Sequence, residues 1–103
     1  MPTIQDALYY LGIDETDKMV TTNVQRALNT ATKRLQGAIG FDVLEYLPED
    51  PRAFELVLIY LREAYDADSL TEKAWAALNR LKADLEPQLR LELQAAKASA
   101  GVI

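Results

Sequence analysis

The stretch Pro48-Glu49-Asp50-Pro51-Arg52-Ala53-Phe54-Glu55-Leu56-Val57-Leu58-Ile59-Tyr60-Leu61-Arg62-Glu63-Ala64-Tyr65-Asp66 decides how this chain folds. Asp50 carries a side-chain oxygen suited to capping a helix, and Pro51 suits the first helical position, where its missing N–H is no loss. The helix that starts there is expected to reach about Ala67. Phe54, Val57, Leu58, Leu61 and Tyr65 share one face, yet Leu56, Ile59 and Tyr60 fall elsewhere on the cylinder. Only a narrow polar stripe of Arg52, Glu55, Arg62 and Asp66 remains, with Glu63 at its margin. A helix apolar nearly all round is buried on several sides. It is the central element, and the rest of the chain must cover it.

Two helices are expected before it. The first spans about Ile4 to Leu11, with Thr3 as N-cap and Asp6 in the first turn, where a carboxylate suits the helix dipole. Ile4, Ala7, Leu8 and Leu11 recur at the spacing of one buried face, and Gly12 fits a C-cap because glycine tolerates the left-handed conformation. The acidic turn Asp14-Glu15-Thr16-Asp17 leads into a second helix, roughly Lys18 to Ala38. Its core face is Val20, Val24, Ala27, Leu28, Ala31 and Leu35. Phe41 to Leu47, short and apolar with Asp42 and Glu45 interleaved, suits an irregular packed loop or one helical turn, and the loop is the preferred expectation.

Beyond the central helix, Ser69 with Glu72 three residues later is a capping box, with Thr71 as the alternative cap. The fourth helix shows Ala74, Leu78, Leu81 and Leu85 on one face. Pro87 removes a backbone donor and crowds the preceding turn, so a kink or stop is expected there. Leu89, Leu91 and Leu93 spread around the wheel, more than one short segment is expected to bury. Residues 99–103 are expected to form a flexible tail, which leaves one domain over residues 1–98. The expected fold is all-α: a single small domain of about four helices, with a buried central third helix and a C-terminal helix kinked or ended near Pro87.

With 103 residues, half of them hydrophobic, the chain is large enough for one domain with a real core. It contains no cysteine and no histidine, which excludes disulfides, thiolate and imidazole metal ligands, and Ser-His-Asp or Cys-His catalysis. No glycine-rich phosphate loop is present, and counting Asp14 as position one of a calcium loop puts Lys18 at position five. The acidic clusters therefore read as solvated turns, and no catalytic residue, cofactor or metal is expected. The first six residues hold neither a basic nor an apolar run, so no secretory signal is expected. The longest apolar stretch, Leu56 to Leu61, is far short of the roughly 20 residues that span a bilayer, so no membrane association is expected. The composition reads as cytosolic and soluble.

Net charge is −5, unfavourable for reading nucleic acid through phosphate neutralisation. That charge is unevenly placed. Between Lys18 and Phe41 there is no acidic residue, while Lys18, Arg26, Lys33 and Arg34 are all basic. The rest of the second helix's outer face is Thr, Asn and Gln. A freely solvated helix more usually mixes both signs in supporting pairs one turn apart, so this face reads as a surface that meets something. The acidic loops of a neighbouring copy are its natural complement, giving a candidate subunit interface of Arg26, Asn29 and Lys33 against Asp14, Glu15 and Asp17. Contact between two different patches is heterologous and closes a ring when repeated around an axis. Tyr9, Ile59, Trp75 and the leucines after Pro87 fall off the core faces and are counted as further candidates for docking.

The order of these features resembles a known family. A short helix ends in Leu11-Gly12-Ile13-Asp14, a long amphipathic helix ends near Gly37, and Leu47-Pro48-Glu49-Asp50-Pro51-Arg52 opens an apolar helix ending Arg62-Glu63-Ala64-Tyr65-Asp66. This is similar to the small head-tail connector (head-completion, or adaptor) proteins of long-tailed bacteriophages, over roughly Ile4 to Asp68 and more loosely beyond. The resemblance implies a non-enzymatic structural protein that forms a ring, dodecameric in the virion, below the phage portal protein. Such a ring extends the channel for passing DNA without sequence-specific binding, and docks the next head-completion or tail protein. It implies assembly in the host bacterial cytoplasm, then a place at the head-tail interface of the virion. It also implies portal docking through the C-terminal segment, here Pro87 to Ile103, with Leu89, Leu91 and Leu93 as the docking candidates. The competing reading is a small cytosolic helical adaptor or regulator acting as a dimer through its apolar helices.

Overall fold

A computed structural model describes residues 1–14 and 17–101. The helices are α1 (Ile4–Leu11), α2 (Lys18–Ile39), α3 (Val43–Tyr46), α4 (Pro51–Tyr65) and α5 (Glu72–Gly101), with a 3-10 turn at Ala67–Ser69 between the last two. The fold is all-α, with no strand among the described residues.

Local signals account for most boundaries. The Thr3 hydroxyl accepts from the Asp6 N–H at 3.1 Å, and the Asp6 carboxylate accepts from the Thr3 N–H at 2.8 Å, a reciprocal capping box. Gly12 closes α1 in the left-handed region, φ 71°, where a side chain would be strained. Asp17 caps α2 through the Met19 and Val20 N–H groups. Asp50 caps α4, with Pro51 directly after it. At α5 the cap is Thr71, whose hydroxyl accepts from the Ala74 N–H at 3.1 Å; Ser69 instead donates to the Asp66 carbonyl within the 3-10 turn.

The helix anchored by Pro51 is central: α4 packs against α1, α2 and α5. Its Ala53, Leu56, Val57 and Leu61 are fully buried and meet Val24, Ala31 and Leu35 of α2, Ala7 of α1, and Leu89 and Leu93 of α5 in one core. The α4 and α5 helices run antiparallel, since Arg52, Tyr60 and Glu63 reach Glu92, Glu86 and Lys82 respectively. The end of α2 lies along α5: Arg90 Nε donates to the Ala38 carbonyl at 2.9 Å, and Lys97 pairs with Asp42 at 2.9 Å. The molecule measures 50 × 30 × 18 Å. Its long dimension comes from α5, which at about 1.5 Å per residue is about 45 Å long.

Several expectations are corrected. Phe41 to Leu47 is not wholly irregular: Val43 is buried and Leu47 N–H bonds the Val43 carbonyl at 2.8 Å, so one helical turn forms. Pro87 does not end the last helix, which continues to Gly101 and includes Ser99 and Ala100, expected as tail. The carbonyl deprived of a partner by Pro87 is that of Ala83; both residues are exposed, so water can meet it. Leu85, Leu89 and Leu93 pack on the core either side of the break and hold the helix through it. Leu81, expected in the core, is 42% exposed, whereas Ile59, expected among docking residues, is buried because α4 is covered on several sides.

Candidate functional site

At 100° per residue, Met19, Thr22, Arg26, Asn29, Lys33 and Gly37 fall on the line of α2 opposite Val24, Leu28, Ala31 and Leu35. All six are exposed, so the structure brings Arg26, Asn29 and Lys33 onto one outward stripe. No ion pair to Lys18, Arg26 or Lys33 is formed among the described residues. Arg34, the remaining basic residue of α2, lies outside this stripe and is engaged internally. The stripe thus carries exposed positive charge on an acidic protein.

Near Lys18 the stripe borders one groove, and a second adjoins that groove at Thr21. One of about 650 Å³ is lined by Ile4, Lys18, Thr21, Gln25, Arg26 and Asn29. The other, about 640 Å³, lies between α1 and the start of α2 and is lined by Leu8, Tyr9, Gly12, Ile13, Asp14 and Thr21. Thr21 belongs to both walls, so Asp14 and Arg26 sit at the same end of the molecule. Asp17 spends its carboxylate on the α2 cap, 2.7 Å from the Met19 nitrogen. Glu15, the third acidic candidate, lies outside the described residues. Tyr9, 91% exposed, and Met19, 72% exposed, add apolar surface beside these grooves.

The C-terminal docking candidates divide. Leu89 is fully buried and Leu93 nearly so, both in the main core, and they are not available to a partner. Leu91 alone is free, 67% exposed. The seven-residue spacing of Leu78, Leu85 and the four-residue steps to Leu89 and Leu93 carry the buried face through Pro87; Leu91 lies on the opposite side.

A polar cluster inside the bundle escaped the sequence reading. Glu63, assigned to the margin of a polar stripe, has its side chain 3% exposed. Arg34 Nη1 donates to its Oε1 at 3.1 Å, and Lys82 Nζ lies 2.6 Å from its Oε2. That second oxygen receives no directed hydrogen bond and is compensated by the ammonium charge. The Arg34 guanidinium also lies 4.6 Å from the centre of the Tyr60 ring, and the Tyr60 hydroxyl donates to Glu86 Oε2 at 2.5 Å. Burial, then the Glu86 carboxylate, push the Tyr60 phenol well above its usual range, so it stays a neutral donor. The cluster joins α2, α4 and α5 and ties them together, with Glu63 buried and the Arg34 side chain 45% exposed at its outer edge. One signal could have found it, because Glu63 follows Leu56 and Tyr60 at i+7 and i+3, the spacing of a shared face.

Among the described residues no group of three or more carboxylates is placed to hold a metal ion, and no helix is long and apolar enough to cross a membrane. Comparison with protein-family profiles, with curated proteins and with solved structures returns no match to this chain.

Proposed function

We propose that this protein is a structural ring-forming subunit, of the kind found at the head-tail connection of tailed bacteriophages, that assembles through heterologous contacts of its α2 face. One observation carries the reading: Arg26, Asn29 and Lys33 form an exposed basic stripe, with no ion pair among the described residues, on a protein of net charge −5. Such a row costs little in water but gains when acidic surface of another copy approaches it, and charge complementarity steers the encounter and sets the register. No self-complementary two-fold contact is available to the stripe, because like charges would face each other across the axis. A ring built by repetition of one unlike contact is the closed solution. The remaining surface is predominantly acidic, which suits a conduit that lets DNA pass without holding it. In this reading the ring sits below the portal and presents a docking face to the next head-completion or tail protein.

The test is absolute mass by light scattering over a roughly hundredfold range of concentration, at low and high salt. The expected result is a closed assembly larger than a dimer that loses mass as salt rises, with Arg26→Glu/Lys33→Glu shifting it towards monomer. A monomer throughout, or a salt-insensitive dimer as the adaptor reading requires, would overturn the proposal.

A further inference from the structure

Pro87 divides α5 into two stretches that different forces hold to the body of the molecule. Beyond it, Leu89 and Leu93 are buried in the main core, and Arg90 and Lys97 tie the same stretch to Ala38 and Asp42. From Glu72 to Glu86 only Leu78 is buried, and it lies outside that core. Trp75 is half-buried and is not packed against the core, while Leu85, beside the proline, packs on its edge. The other ties of this stretch are polar: Lys82 to the buried Glu63, and Glu86 to the Tyr60 hydroxyl. The connection leading into it has local backbone hydrogen bonds, Ser69 to Asp66 and Leu70 to Ala67.

From this division we infer that Glu72 to Glu86 is a strap that opens on a hinge at Pro87, latched by the Glu63 cluster, while the rest of the molecule stays folded. Pro87 has no N–H to bond the Ala83 carbonyl, so the helix resists bending least at that turn. Segments with few buried apolar contacts open at lower free energy than core segments do, and the strap has few. The latch itself is ionic. Undocking an apolar side chain exposes it to water with nothing in return, whereas Glu63, Arg34 and Lys82 regain hydration when the strap lifts. That hydration offsets much of the lost attraction, and the Lys82 contact lacks a directed hydrogen bond at Glu63 Oε2. Closed, the strap keeps the Glu63 side chain 3% exposed; open, it uncovers the α4 face that carries Tyr60 and Glu63. The inference rests on packing within one chain and is independent of the proposed ring.

Residue-resolved hydrogen exchange on the full-length chain at low concentration tests it. In the wild type, amides of residues 76–86 should exchange at least about tenfold faster, relative to their intrinsic rates, than those of residues 92–95 and of Val57 to Leu61 in α4. Their exchange should also depend less steeply on added urea, because opening the strap exposes less surface than global unfolding. Tyr60→Phe, which removes the hydroxyl bonded to Glu86, and Glu63→Gln should each speed residues 76–86 by at least about threefold, since the latch is formed only in the docked state. Ile39→Val, in the main core and outside the latch, should speed the α4 amides about fivefold and leave residues 76–86 unchanged, because its packing defect is the same with the strap open or closed. If both sides of Pro87 exchange with one protection and one urea dependence, strap and body are a single unit and the inference fails. If neither latch variant speeds residues 76–86, the opening leaves the cluster intact and the latch is wrong. The wild-type comparison needs no substitution, so it decides the matter even where a variant does not fold. A chain that never assembles would overturn the ring and leave this test untouched.

Discussion

Replacing Leu89 by Ala separates two roles for the segment beyond Pro87, a docking surface or part of the core. Leu89 is fully buried and belongs to the main cluster shared with α2 and α4. Its truncation removes about three methylene equivalents of burial and leaves a cavity walled by helices that cannot fully collapse, a loss of about 3 kcal/mol, within a range of about 2 to 5 kcal/mol. Leu91, two residues on and 67% exposed, provides the control, and its truncation should change stability by no more than about 0.5 kcal/mol. Urea unfolding followed by far-UV circular dichroism measures both. With an m-value of about 1.5 kcal/mol/M, Leu89→Ala should lower the midpoint by about 2 M and Leu91→Ala should barely move it. Low protein concentration keeps assembly from adding its own stability to either value. Equal, small shifts for the two variants would refute the packing of α5 beyond Pro87 onto the core.

Three further outcomes follow from particular contacts. Glu63→Gln leaves Lys82 without its counter-charge in a site where that side chain is only 17% exposed, and should cost about 1 to 3 kcal/mol; a loss below 0.5 kcal/mol in the same urea assay, by the about 0.5 kcal/mol scale of surface changes, would show the ion cluster to be dispensable. Gly37→Ala should stabilise by about 0.5 kcal/mol, since a helical Cβ there meets nothing, whereas Gly40→Ala places a Cβ 2.6 Å from the buried Leu93 Cδ2 and should destabilise by about 1 to 3 kcal/mol. Thermal midpoints order these two variants about the wild type, and a reversed order would contradict the approach of α5 to the turn after α2. Acid should also weaken the fold in a traceable way. The Arg52 guanidinium, aided by the Arg52 and Ala53 N–H groups, holds the Asp50 carboxyl below its usual range, and Lys97 does the same for Asp42. A carboxylate depressed in the folded state contributes stability that is complete above its unfolded pKa of about 4 and is lost as pH falls through the folded value. Asp50→Asn should therefore lower stability at neutral pH and flatten the decline below about pH 4; an unchanged acid limb in thermal melts would sink the assignment.

Much of the fold is legible in the chain because helix ends are local events. Thr3 with Asp6, Gly12, and Asp50 with Pro51 each act within four residues of themselves, and the structure uses each of them as its sequence context suggests. The reading failed at Ser69 against Thr71, where two caps compete within three residues and the choice depends on where the preceding 3-10 turn leaves the backbone. At Pro87 the stop that the sequence offered beside a kink does not occur. The break in hydrogen bonding is visible in the sequence, but the packing of Leu89 and Leu93 that outweighs it depends on α2 and α4 being alongside.

The candidate surface divides in the same way. Periodicity and charge by themselves placed Arg26, Asn29 and Lys33 on the outer line of an amphipathic helix, because a 3.6-residue repeat assigns every side chain an angle once the apolar face is known. They also made the chain all-α and put the Pro51 helix at its centre. Only the tertiary structure decided which of several apolar lines is covered. Leu89, Leu91 and Leu93 are the same residue type within five positions of one helix, and two are buried while one is exposed. Glu63 lies in the core because Arg34 and Lys82, 29 and 19 residues away in sequence, converge on it. Burial is a property of what comes to lie opposite a helix face, and that depends on contacts between segments far apart in the chain.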